Sequence, residues 1–247
     1  MDRMLYTAMT GAKQTLMAQG VVSHNLANAN TTGFKTDLDA FRSIYLVGQG
    51  HNSRVFGVDD SPGVNMAAGA MVTTGRDLDV AIQSAGFIAV QAKIGDEAYT
   101  RAGDLRLTAE GFLETGAGHL VLGNSGPITI PPASKLEIGS DGTVSIVPLG
   151  QSANSMAVVD RIRMVNPASG KLAKSEDGLF RLPPGELVEA DGSIRLLQGA
   201  LESSNVNAAE SLVSMIQLAR QFELQVKIMK SAEENDSASA QLMRLGV

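Results

Sequence analysis

Residues 208–245 read AAESLVSMIQLARQFELQVKIMKSAEENDSASAQLMRL, a run of thirty-eight positions with neither Gly nor Pro. Within it Ala208, Leu212, Met215, Ala219, Phe222, Val226 and Met229 recur alternately four and three residues apart. That spacing lines them up on one stripe of a helix, the seam by which helices supercoil. Asn207 precedes the run and can accept from the backbone N–H three residues on, where Glu210 stands in a variant of the capping box. Glu223 and Lys227 form a favourable i, i+4 pair on the wet side. A helix of this length with an apolar stripe needs a partner.

The opposite end of the chain offers one. Leu5, Met9, Ala12, Leu16 and Leu26 share a stripe, interrupted by Gln19 and Ser23. Gly11 and Gly20 each cost a helix about 1 kcal/mol relative to Ala, which points to close approach of another backbone. This helix is expected to stop near residues 28–30, with Thr32-Gly33 as a turn.

Between the two ends the period changes. Residues 34–76 read as an extended connector, in which Phe41, Ile44, Tyr45 and Leu46 form a short helix or strand. From Leu78 onward, short apolar runs at 78–82, 87–92, 97–101, 105–108, 112–115 and 120–122 are separated by Gly, Asp or Asn. The series continues at 128–130, 136–138, 143–147, 161–165, 178–182 and 194–197. Asp141-Gly142, Asp177-Gly178 and Asp191-Gly192 are turn dipeptides that fit hairpins. The expected fold is α+β: coiled-coil-like N- and C-terminal helices flanking a β-rich central domain. Its parts are a helix in 1–33, the connector 34–76, the β-rich domain 77–206 and the second helix in 207–247.

Isolated helices are marginal in water, so the two ends are expected to pair. At 1.5 Å per residue the segment 208–245 outruns 5–28 by about 21 Å, leaving apolar stripe for neighbouring subunits. Two terminal helices with more apolar face than they can mutually cover describe a polymer subunit. Met4, Met9, Met17, Met215, Met229 and Met243 add adaptable side chains that suit contacts with non-identical neighbours. Glu233 and Asp236 fall on the seam itself. With Glu234 they set acid toward a helix C-terminus, so either the regular stripe ends near Ala232 or Arg or Lys of a neighbouring subunit compensates them.

Composition narrows the function classes. A net charge of −6 argues against nucleic acid as a partner, because neutralising phosphates needs a basic face. With no cysteine there are no disulfides, thiolate nucleophiles or sulfur metal ligands. No run approaches the ~18 apolar residues needed to cross a bilayer, and residues 1–20 lack the continuous apolar core of a signal peptide. That is the pattern of a protein kept in the cytoplasm or exported without a cleaved signal. The three histidines, His24, His51 and His119, stand in no metal-like spacing, and neither a G-x-S-x-G elbow nor a phosphate-cradling loop is present. Asn28, Asn30, Thr32, Gly33 and Asp39 match calcium-loop positions, but without the charge such a loop needs and with Asp in place of its final Glu. No cofactor, metal site or catalytic residue is expected.

Ser23-His24-Asn25-Leu26-Ala27-Asn28-Ala29-Asn30-Thr31-Thr32-Gly33-Phe34-Lys35 resembles the N-terminal signature of the flagellar rod and hook family. Leu78-Asp79-Val80-Ala81-Ile82, Gly86-Phe87-Ile88-Ala89-Val90 and Tyr99-Thr100-Arg101-Ala102-Gly103-Asp104 are similar to the opening of that family's β-domain. Gly199-Ala200-Leu201-Glu202-Ser203-Ser204-Asn205-Val206-Asn207 resembles the lead into its C-terminal helix. Ala219–Glu223 with Lys230–Asp236 is most similar to the proximal-rod members. The resemblance implies a non-enzymatic subunit of the periplasmic rod of the flagellar basal body. Such a subunit passes through the flagellar type III export apparatus, polymerises with itself and other rod proteins through its terminal helices, and inserts into no membrane. It also implies roles for the motif residues Asn25, Leu26, Ala27, Asn28, Gly33, Phe34 and Lys35. The competing reading is a self-contained β-rich module that binds glycan or peptidoglycan and is dimerised by its helices.

Overall fold

The computed structural model describes residues 2–45, 55–59, 63–93, 95–150, 155–167, 172–175, 177–183, 186 and 188–245. His51, Leu46 and much of the glycine-rich stretch around them lie outside the described residues. The chain divides into two compact units. One gathers 1–29, 37–65 and 206–247; the other gathers 30–36 and 66–205. The stretch 34–76 is thus shared between the units instead of running as one connector.

The first unit is built on two helices, α1 (Asp2–Ala27) and α2 (Ala208–Leu245), with a hairpin of β1 (Phe41–Tyr45) and β2 (Val55–Asp59). Asn207 caps α2 as its sequence predicts: its side-chain Oδ1 accepts from the N–H groups of Ala209 and Glu210 at 3.1 and 3.3 Å. α1 closes at Asn28, whose N–H reaches the His24 and Asn25 carbonyls while its side-chain amide donates to the His24 carbonyl. Beyond it, the buried Asn25 amide holds both backbone groups of Asp37. It donates to the Asp37 carbonyl and accepts from the Asp37 N–H, each at 2.9 Å. No helix among the described residues is long and apolar enough to cross a membrane.

The second unit is the β body. Its largest sheet among the described residues begins with β5 (Phe87–Gln91), β6 (Glu97–Thr100), β7 (Leu105–Leu107), β8 (Leu113–Thr115) and β9 (Leu120–Val121). It is completed by β13 (Met164–Val165), β14 (Ala173–Lys174) and β15 (Phe180–Arg181). A three-stranded sheet holds β10 (Ala133–Ile138), β11 (Thr143–Pro148) and β12 (Ala157–Arg161). Two ribbons pair β4 (Val80–Ile82) with β16 (Leu196–Gln198), and β3 (Met71–Thr73) with β17 (Ala200–Glu202). The pairings are antiparallel throughout. Phe87–Val90 is buried on both faces, so β5 reads as a continuous apolar run and not as an alternating one. Val80, Ile88, Val90, Leu105, Leu113 and Val144 are fully enclosed in one aliphatic core. That core spans all three sheet groups and needs few aromatics.

Several strand expectations shift for identifiable reasons. Residues 128–130 hold one isolated bridge, Phe112 to Thr129, with a second just before them from Leu122 to Pro127, and no ladder. Pro127, Pro131 and Pro132 remove the N–H groups a regular strand would need. Ile128 and Ile130 are nonetheless core residues. The run 161–165 is split, because β12 belongs to one sheet and β13 to another. Between them the Ile162 N–H bonds the Gly142 carbonyl and the Arg163 N–H bonds the Leu122 carbonyl. Asp141-Gly142 closes the β10–β11 hairpin and Asp177-Gly178 the β14–β15 hairpin. Asp191-Gly192 closes none: the Asp191 carboxylate accepts from the N–H and hydroxyl of Ser193 instead.

Candidate assembly interface

The faces of α1 and α2 do not lie where the large apolar residues alone would put them. The buried side of α1 is Ala8, Ala12, Thr15, Ala18 and Asn25. Leu5, Met9 and Leu16, expected in the seam, are turned to solvent at 38, 51 and 51% exposure, while Ala12 is buried and Leu26 half-buried. Small side chains let two helices approach closely, and Leu or Met in the same places would hold them apart. A Cβ added at Gly11 would come within 3.1 Å of the Gln225 side chain, so a side chain approaches there and not the expected backbone. At Gly20 there is open space. The Thr15 hydroxyl is satisfied internally by the Gly11 carbonyl at 2.9 Å.

On α2 the inward stripe runs through Ser211, Met215, Leu218, Phe222, Gln225 and Met229 to Ala232. It shares Met215, Phe222 and Met229 with the expected seam. At the alternate positions it is displaced by one residue, so Leu212 and Val226 are exposed at 50 and 42% and Ala208 is exposed as well. Ala219 is half-buried. If Gly11 and Gln225 set the register of an antiparallel pair, Ala232 falls level with residue 4; it is also the last buried residue of α2. α2 has 38 residues against 26 in α1, a surplus of about 18 Å of helix. Asp236 lies on that overhang and Glu233 and Glu234 just before it, all three exposed.

The helix pair leaves many large apolar side chains outside. Leu5, Tyr6, Met9 and Leu16 of α1 are solvent-facing, as are Leu212, Val213, Ile216 and Leu224 of α2. Apolar surface of this extent on neighbouring helices is a candidate docking face.

The remaining motif residues lie in the β body, and they bring together parts of the chain far apart in sequence. Gly33 adopts φ 67°, a left-handed conformation open to glycine, and its N–H donates to the Glu202 carbonyl at 2.8 Å. Phe34 is buried beneath Lys174, whose Nζ sits 3.7 Å from the ring centroid and donates to the Lys35 carbonyl at 2.8 Å. The Lys35 ammonium is 1% exposed and donates to the Glu202 Oε1 at 2.6 Å and to the Ala67 carbonyl at 2.8 Å. The same carboxylate accepts from the Gly69 N–H at 2.9 Å and, through Oε2, from Arg101 Nε at 2.7 Å. The rest of the Arg101 guanidinium is spent on the carbonyls of Ile82, Ser84 and Gly86. Asn205 completes the cluster: its Oδ1 accepts from the N–H and hydroxyl of Thr36 at 2.8 and 2.6 Å, and its amide donates to the Ala67 carbonyl.

Buried charge is tolerable only when it is paired and hydrogen-bonded, and each charge here has several partners. Burial pulls the Lys35 ammonium below its ordinary 10.5, against the opposing pull of Glu202. Burial alone would raise the Glu202 carboxyl. The hydrogen bonds from Lys35 and Gly69 and the charge of Arg101 outweigh it and hold the group below its ordinary 4.5. A carboxyl depressed on folding gives the folded state fewer bound protons than the unfolded chain. The stability it contributes is therefore complete above pH 4.5 and lost as the pH falls through the folded value. Thermal unfolding of the β body is expected to drop steeply on that acid side and to be flatter there in Glu202→Gln. An unchanged slope in that variant would assign the acid sensitivity to other carboxylates.

Among the described residues no group of three or more His, Cys, Asp or Glu could hold a metal ion. What sequence reasoning left out is the partnership of Arg101, Glu202 and Asn205 with Lys35. Their only signal was that they stand inside the motif stretches.

Comparison with known proteins places this build in a class, the structural proteins of the bacterial flagellum. The family model described as flagella basal body rod protein matches residues 5–35, the FlgE/F/G hook protein D1 domain matches 81–146, and the C-terminal model of the basal body rod FlgEFG proteins matches 197–242. The chain is 41% identical to flagellar basal-body rod protein FlgF of Salmonella typhimurium and 39% identical to FlgF of Escherichia coli. Each of those alignments covers 99% of this chain and 100% of the relative. It is also 34% identical to the rod protein FlgG of Bacillus subtilis, over 95% of this chain and 96% of that one. The chain belongs to the flagellar basal-body rod protein family and has the role of a structural rod subunit.

Proposed function

We propose that this protein is a subunit of the proximal rod. It polymerises into the tubular drive shaft through α1 and α2. It is exported through the flagellar type III apparatus and assembles in the periplasm with copies of itself and with other proximal and distal rod proteins. Its work is mechanical, and the reading assigns it no catalytic chemistry. One observation carries it: α1 turns its Ala, Gly and Thr face inward while Leu16, Leu212, Ile216 and Leu224 stay in solvent. In a lone subunit that arrangement wastes apolar surface; in a polymer it is the contact surface. The overhang of α2 supports the same reading, with the exposed carboxylates of Asp236 on it and Glu233 just before it offered to basic groups of a neighbour.

The test uses residues outside the intramolecular seam. Leu16→Asp and Ile216→Asp are surface changes in the free subunit, so its unfolding free energy is expected to stay within about 0.5 kcal/mol of the parent. Cells carrying either variant are expected to lose motility and to accumulate no complete rods. Normal swimming with both variants would refute the assignment of these faces to assembly.

A further inference from the structure

The terminal helices are rooted in a cluster that belongs to the β body. Three stretches of chain meet there: 33–36, just after α1; 67–73, before and within β3; and 200–205, just before α2. The last two form a ribbon, with Ala200, Leu201 and Glu202 in register with Thr73, Val72 and Met71, and the Ser203 N–H extends it to the Ala70 carbonyl at 2.9 Å. Gly69 packs so tightly on Ser203 that an added Cβ would overlap the Ser203 carbonyl. The third stretch is laid on this ribbon by Gly33 N–H to Glu202 carbonyl, Asn205 N–H to Phe34 carbonyl, Thr36 to Asn205 Oδ1, and Lys35 to Glu202. From above, Lys174 covers Phe34.

We propose that these contacts form an autonomous clasp. It keeps 30–36 and 200–205 folded on the β body when α1 and α2 are unpaired, and helix pairing then propagates from the clasp toward the two chain ends. The clasp and the helix pair are held together differently. Inside the clasp Lys35, Arg101 and Glu202, with almost no exposure, share hydrogen bonds, and removing one of them strands another in a buried place. Between the helices α1 contributes Ala, Gly and Thr, and the inward side chains of α2, Met215, Leu218, Phe222 and Met229, are only half-buried, so the pairing encloses little apolar surface completely. Local opening free energies differ across a structure in this way, and the weakly packed element opens first. The clasp also fixes 33–36 against 202–205, so the last turn of α1 and the first of α2 start from neighbouring anchors. That proximity lowers the loop entropy of bringing the two helices together from that end. The clasp is a property of the single folded chain and does not rest on polymerisation.

Hydrogen exchange of the full-length free subunit, followed by mass spectrometry along a urea series, reads this directly. Peptides from 5–25 and 215–245 are expected to lose protection at lower urea than those covering 30–36 and 200–205. The latter are expected to open together with the β body near Phe87–Thr100. If 30–36 opens with the helices, the clasp is not autonomous and the proposal fails. Asn205→Ala, which leaves the buried charges paired, is expected to speed exchange in 30–36 about tenfold or more without changing 87–100. Unchanged exchange in 30–36 would equally overturn it.

Discussion

Glu202→Ala is expected to destabilise the β body by about 3–5 kcal/mol, the usual range for removing one partner of a buried ion pair. The carboxylate is completely buried and accepts from Lys35, Gly69 and Arg101. Without it two cations face each other across a cavity, with only backbone carbonyls left to oppose them. Arg101 keeps its bonds to Ile82, Ser84 and Gly86, and Lys35 keeps Ala67, so the cost comes from uncompensated charge more than from lost packing. Urea unfolding followed by far-ultraviolet circular dichroism measures it. A second variant separates charge from shape: Lys35→Met with Glu202→Leu removes one cation together with the anion and is expected to recover part of the loss. A loss below about 1 kcal/mol in Glu202→Ala would mean that water or rearranged side chains replace the carboxylate.

Gly33→Ala is expected to cost at least about 2 kcal/mol, for two reasons that add. At φ 67° a Cβ is strained whatever the surrounding space. Here the space is filled as well, because a Cβ would overlap the backbone of Arg101 and Ala102. The displaced backbone would carry away the Gly33 N–H bond to Glu202 and shift Lys35 from its carboxylate. Gly63→Ala is the control, with positive φ and open space: it is expected to show the strain without the collision and to cost less. Equal losses in the two variants would show that the contact with Arg101 gives way freely.

Periodicity carried the architecture where apolar residues both define and fill an element. Phe87–Gln91 was legible because four successive buried positions are apolar, and Asn207 because capping is local chemistry. The ribbon of Met71–Thr73 with Ala200–Glu202 was not legible, since Met71, Val72 and Leu201 do not alternate with polar residues over a buried face. The helix pair shows a subtler limit. Leu5, Met9 and Leu16 form the more conspicuous stripe of α1, but Ala8, Ala12, Thr15 and Ala18 form the closer-packing one. A hydrophobic pattern ranks faces by apolarity, whereas a tight helix crossing selects by size. On α2 the two candidate stripes share Met215, Phe222 and Met229, so spacing alone could not choose between their flanks. Glu202 is least legible of all: in sequence it resembles a surface carboxylate, and its burial depends on Arg101 and Lys35 arriving from elsewhere in the chain.

The small-residue seam between α1 and α2 has a consequence for how such a subunit responds to dilution. If the apolar faces that matter most are covered by other copies, the free energy of ordering the helices is linked to subunit concentration, as in any assembly that binds only the folded form. On the proposed assembly, dilute chains then keep their ends loose, while neighbouring copies supply the missing partners. A single alanine stripe thus makes the fold of the termini a matter of mass action.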